Sequence, residues 1–189
     1  MALAPAAELP SPREPGAPYQ VCLVCLGNIC RSPMAETVLR AEVAAAGLDG
    51  AVVVDSAGTG DWHVGDTMDP DARKALAGRG HDGSGPKTHR ARQFEPSWLS
   101  RYDLILAMDS RNLADLRRMA RAQGEDTDRI RLFGEVGGLG EAGDAEIPDP
   151  YGGDAAEFGY VLDLLRSAAP VIAARLARLL EPNARDAPA

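Results

Sequence analysis

The segment Cys25-Leu-Gly-Asn-Ile-Cys-Arg-Ser-Pro33 places two thiols, a guanidinium and a hydroxyl within nine residues. It lies between an apolar β-branched run and a helical pattern, so it reads as a strand-to-helix turn. In such a turn the backbone N–H groups of residues 26–31 lack ladder or helical partners, and they can converge into a nest for a dianion. The N-terminus of the following helix adds positive potential. Gly27 allows close backbone approach, and Asn28 tolerates a left-handed conformation.

Cys25 sits at the base of this nest. Donors that bind an anion also favour a thiolate, which is the nucleophilic form. Arg31 offers a planar fork that matches paired phosphoryl oxygens. Ser32 can donate to the sulfur and improve it as a leaving group. The chemistry this implies is displacement at phosphorus on a phosphomonoester, through a cysteinyl-phosphate, followed by hydrolysis. Catalysis of a loose phosphoryl transition state is largely positioning and charge stabilisation, so no metal or other cofactor is expected. A carboxylic acid must protonate the leaving oxygen and then act as base toward water.

Each residue has a plainer reading. Cys25 could be a buried strand cysteine, Arg31 a surface ion-pair partner, and Trp62 core packing, although its polar neighbours Asp61 and His63 favour an exposed rim. Asp149 could simply cap the turn it makes with Pro150. Strand alternation turns Cys22 away from Cys25's side, into the core. Cys22 and Cys25 have thioredoxin-like spacing, but that pair belongs at a helix start rather than inside a strand. Three cysteines, clustered and odd in number, do not form a disulfide framework and leave a zinc set incomplete; they favour a reducing, cytoplasmic setting.

The elements that position these groups follow from pattern. Strands are expected at Tyr19–Cys25, Ala51–Ala57, Tyr102–Met108 and Arg129–Phe133. Helices are expected at Ser32–Gly47, with Ser32 as N-cap and Pro33 at the first helical position, and at Asp69–Gly80, Ser110–Gly124 and about Asp154–Leu180, where Pro170 should kink or divide the helix. The glycines between Gly134 and Gly143 read as a flexible loop bearing Asp149. The alternation specifies a three-layer α/β sandwich, with a central four-stranded parallel sheet and helices on both faces. Ligands in such sheets sit outside the carboxyl ends of the strands, where Cys25, Asp109 and the loop after the fourth strand can meet.

The chain has 189 residues, enough for one domain, and 20 Lys plus Arg against 28 Asp plus Glu, a formal charge of −8. That balance disfavours nucleic-acid binding and requires any anion site to be local. The five prolines in residues 1–18 predict a disordered tail, followed by one domain over 19–180 and a disordered stub over 181–189. The start lacks the basic and continuous apolar regions of a signal peptide, and no stretch reaches membrane-spanning length. A monomer that does not engage membranes is expected.

The segment "VCLGNICRSPMAE" resembles the signature of the low-molecular-weight protein tyrosine phosphatases. "DSAGTGDWHVG", "DPDAR", "THRARQ", "AMDSRN" and "DPYGG" follow in that family's order, over about residues 19–180. The resemblance implies phosphotyrosine-containing proteins or peptides as substrates, Cys25 as nucleophile, Arg31 as phosphate-binding arginine and Asp149 as general acid and later base. It implies a phosphate-binding loop of Leu26, Gly27, Asn28, Ile29, Cys30 and Ser32, supported by Ser56 and His89. Trp62 and Tyr151 match aromatic walls for the substrate ring, and Asp109 matches a polar position near the site. Cys30 matches a second loop cysteine that can trap Cys25 as a disulfide under oxidation. His63 and His81 receive no role.

Three alternatives compete. Arsenate reductases of this architecture need downstream cysteines, and none follows Cys30. Protein-arginine phosphatases tend to carry Thr where this chain has apolar Ile29. A non-catalytic phosphotyrosine-binding module would lack Cys25 or Asp149. One departure bears on selectivity: Gly152 follows Tyr151 where many members have a second aromatic residue.

Overall fold

The computed structural model describes residues 8–140 and 145–181. Its strands are β1 (Tyr19–Cys25), β2 (Val52–Gly58), β3 (Leu104–Ala107) and β4 (Ile130–Leu132). The helices are α1 (Arg31–Ala45), α2 (Pro70–Ala77), α3 (Ser84–Thr88), α4 (Ser110–Gln123), α5 (Phe133–Val136) and α6 (Ala155–Leu180). All strand pairs are parallel, in the order β2-β1-β3-β4. The order reverses between β1 and β3, which places a topological switch point beside Cys25.

Parallel strands covered on both faces must be apolar throughout, and β1 is buried at every position except Gln20. Val21, Leu23 and Cys25 face the layer of α1, α2 and α6, whereas Cys22 and Val24 face α4 and the Phe94–Tyr102 segment. Full burial of each such aliphatic side chain contributes about 1.5–3 kcal/mol. Three helices begin on aspartates. Asp69 accepts from Asp71 N and Ala72 N, Asp109 accepts from Asn112 N, and Asp154 forms a reciprocal capping box with Glu157.

Three expectations need correction. Helix α1 starts at Arg31 with Cys30 as N-cap, and Ser32 caps nothing; its hydroxyl lies 3.0 Å from Cys25 Sγ instead. Pro170 does not divide α6, which runs unbroken to Leu180. Ala168, Ala169, Ile172 and Leu176 keep both halves on one core, and Pro170 itself is exposed. Residues 8–18 are not a loose tail. Leu9 is buried, Tyr19 Oη donates to Pro10 O at 2.8 Å, and Arg13 reaches Tyr102 O, Leu99 O and Glu125 while its own N–H donates to Asp103. The segment turns at residues 14–17, where Ala17 N donates to Glu14 O at 3.2 Å and Gly16 takes φ 86°. Residues 1–7 and 182–189, assigned to the two tails, lie outside the described residues. Of the glycine-rich loop, Phe133–Val136 forms α5 and residues 141–144 are not described.

Candidate active site

Beyond Cys25 the chain bends through residues 26–30 before α1 begins. Surrounding backbone takes up the loop's carbonyls: Thr59 N donates to Cys25 O, Gly60 N to Leu26 O and Asp69 N to Ile29 O, each at 2.9 Å. The N–H groups of Gly27, Ile29 and Cys30 meet no acceptor among the described residues. Those of Arg31 and Ser32 open a helix and have no intrahelical partner. Asn28 N–H donates to Cys25 Sγ at 3.3 Å. The loop therefore holds one N–H on the sulfur and keeps three more without an acceptor among the described residues.

Asn28 is the one non-glycine residue with positive φ among the described residues, at 55°. Its side chain holds that conformation. Nδ2 donates to Ser32 Oγ and Ser56 Oγ, both at 2.9 Å, and Oδ1 accepts from Arg92 N at 2.9 Å. His89 Nε2–H donates to Asn28 O at 2.7 Å. Burial lowers the pKa of His89, which keeps the ring neutral with its proton on Nε2. Ser56 Oγ–H in turn donates a hydrogen bond to Glu36 Oε2. Ser32 Oγ, accepting from Asn28, lies within reach of both Cys25 Sγ and Ala57 O.

Arg31 is 3% exposed and held by three oxygens. Nη1 contacts Asp109 Oδ2 at 2.6 Å and Ile147 O at 3.1 Å, and Nη2 contacts Asp149 Oδ2 at 2.9 Å. Nε is buried without a partner. Burial opposes the charge, but Cys25, Asp109 and Asp149 outweigh it and raise the guanidinium pKa. Asp109 thus has two duties, capping α4 with one oxygen and fixing Arg31 with the other.

Asp149 rides on a segment laid along the end of β3, where Ile147 N donates to Met108 O at 2.8 Å. It lines a cleft of about 230 Å³ with Cys25, Leu26, Gly27, Ile29, Cys30, Trp62, His63 and Tyr151. Trp62 and Tyr151 are 71% and 62% exposed, as rim residues rather than core. The turn carrying Trp62 is pinned at its far end to Ala91, by Gly65 N to Ala91 O and Ala91 N to Asp66 O. Cys22 lies in the opposite core layer, and Cys30, also in the cleft, has its thiol pKa raised by burial and by nearby negative charge. Among the described residues no three His, Cys, Asp or Glu side chains gather as metal ligands.

All the expected site residues converge here. Three participants received no role from the sequence, although each lies inside one of the quoted motifs. His63 lines the cleft, bonded through Nδ1 to Asp66 and tilted against Tyr151 at 5.9 Å. Glu36 and the Arg92 backbone complete the Asn28 network. Glu36 lies four residues past Ser32 on α1, a spacing that puts the two on one helix face.

Residues 20–181 match the family model described as low molecular weight phosphotyrosine protein phosphatase. A low molecular weight protein-tyrosine-phosphatase of Streptomyces coelicolor is 43% identical over 166 residues, covering 88% of this chain and 98% of the relative. Among solved structures, YfkJ of Bacillus subtilis superposes with a TM-score of 0.75 at 34% identity, covering 89% of this chain and all of the other. A protein tyrosine phosphatase of Entamoeba histolytica, with Hepes in its active site, superposes at 0.74 and 31% identity, covering 85% of this chain and 97% of that one. By a family match over residues 20–181, relatives matched over nearly their whole length and a shared architecture, this chain is a member of the low molecular weight phosphotyrosine protein phosphatase family.

Proposed function

We propose that the protein hydrolyses phosphotyrosine in proteins or peptides, and small aryl phosphates, through a cysteinyl-phosphate intermediate. The observation that carries this reading is the set of donors without protein acceptors around one sulfur: loop N–H groups and the buried Arg31 Nε beside Cys25. A phosphoryl dianion supplies the oxygens those donors lack. The aromatic ring stands between Trp62 and Tyr151, over the apolar side chain of Ile29.

In the first step Cys25 Sγ attacks phosphorus, the S–P bond forms and the bond to the phenolic oxygen breaks. Asp149 gives that oxygen its proton. Arg31 Nη2 releases Asp149 as it takes a phosphoryl oxygen, so substrate binding frees the acid toward the leaving group. In the second step the Asp149 carboxylate takes a proton from water, the water oxygen attacks phosphorus and the S–P bond breaks. Inorganic phosphate leaves. Ser32 turns its single hydroxyl proton from Ala57 O to the departing sulfur. Asn28 and its partners keep the loop in its left-handed bend throughout, so the donors are set before the charge develops.

A reducing, cytoplasmic setting suits a chain whose three cysteines are all free thiols. We assign it to action as a monomer. Steady-state hydrolysis of matched phosphotyrosine, phosphoserine and phosphoarginine peptides tests the assignment. The phosphotyrosine peptide is expected to be cleaved with the highest kcat/KM. Preference for phosphoarginine, or no cleavage of any peptide, would overturn it.

A further inference from the structure

A second cleft, of about 380 Å³, shares no residue with the first. One wall is the outer face of α1, with Glu36 and Arg40; the other is the Gly80–Pro86 segment with His89. A groove of about 310 Å³ continues beyond His81 and Pro86, which line both, to Pro70, Ala77, Arg73, Lys74 and Lys87. Together they reach the size range of ordinary small-molecule sites.

Its charges are unevenly matched. Arg40 pairs with Glu36 and Lys74 with Asp71. Arg73 and Lys87 enter no ion pair among the described residues, and Arg73 Nε is buried without a hydrogen-bond acceptor. Asp82 is the single unpaired acid on the lining. In a chain of formal charge −8, two unanswered cations flank an apolar floor of Pro70, Ala77 and Pro86.

Gly80 N and His81 N tie the near end of this wall to Ala77 O and Leu76 O of α2. Between residues 82 and 90 every hydrogen bond among the described residues closes within the segment, save that from His89 Nε2 to Asn28 O. Pro86 is the one buried residue of residues 82–90, and a Cβ added at Gly83 or Gly85 would meet nothing within 4 Å. A molecule bridging this wall to α1 and α2 acts on His89, hence on the bend at Asn28 that aims an N–H at Cys25.

We propose that the double cleft is a regulatory site for a nucleotide-sized organic phosphate. Its anionic group lies on Arg73 and Lys87, its flat body lies against Pro70 and Pro86, and its occupancy stabilises the oxyanion-ready catalytic loop. The coupling half of this inference rests on the reading of the Cys25 loop as an oxyanion site; the binding half does not.

The test uses the full chain, magnesium-free adenosine diphosphate as probe and tungstate as loop ligand, followed by calorimetry. The probe is expected to bind one site with the loop saturated by tungstate. Coupling is reciprocal, so each ligand should tighten the other by the same factor, about fivefold or more. Arg73→Gln combined with Lys87→Gln should weaken the probe at least about tenfold, with tungstate affinity, aryl-phosphate turnover and Tm unchanged. Displacement of the probe by tungstate, unaltered probe binding in the double variant, or tungstate affinity indifferent to the probe would each overturn the proposal. A chain that binds tungstate yet cleaves no phosphotyrosine would overturn the functional assignment and leave this one standing.

Discussion

Every polar atom of the Asn28 side chain and its carbonyl is engaged, and its N–H faces the sulfur. Asn28→Ala removes three of these bonds and leaves a β-carbon at φ 55° without support. The cost is expected at about 2–4 kcal/mol of stability, read as a shift in the urea midpoint, with weaker tungstate binding. Cys25→Ser should abolish turnover while oxyanion binding persists; appreciable residual turnover would remove Cys25 from the mechanism. Asp149→Ala should slow aryl esters with poor leaving groups by about 10²–10⁴ and those with good ones far less; equal slowing would deny Asp149 the role of acid. At this scale the sequence was most legible, because thiol, fork and hydroxyl at fixed spacing have few joint uses. His63, Glu36 and the Arg92 backbone were not, since nothing in their types marks which loop they will face.

Elements were legible where burial acts on a short stretch. The β-branched run of β1 predicts its own two-faced burial, and the aspartates before α2, α4 and α6 mark their starts. Ser32 misled because a serine one residue into a helix looks like a cap until the thiol beneath it is known. Pro170 does not divide α6, because local propensity yields when both flanks of a helix lie on the same core. The strap of residues 8–18 was hidden because composition cannot reveal Arg13's distant carbonyl partners. Arg13→Ala should lower stability by about 1–3 kcal/mol in urea denaturation with kcat unchanged; a loss in kcat would show that the strap reaches the site. Close contact makes a contrasting case: a β-carbon at Gly137 would lie 2.3 Å from Ala168 Cβ, wedging α5 from α6.

At the scale of the whole molecule, stability should depend on pH through His89. Its folded pKa is lowered, so the unfolded chain binds the proton more readily. The contribution is complete above about pH 6.5 and is lost as pH falls below it. The urea midpoint should drop between pH 7 and pH 5, and His89→Gln, which can still donate to Asn28 O, should flatten that drop. Identical slopes would exclude His89 as the titrating group. A formal charge of −8 likewise leaves anion recognition to local geometry.

Arg31 is never bare. Before any guest arrives, Asp109 and Asp149 already stand where negative charge is wanted. A newcomer must outbid an aspartate for Nη2, and a second charge decides that contest. Sulfotyrosine, similar in shape to phosphotyrosine but carrying one charge fewer, should therefore be turned away at the threshold.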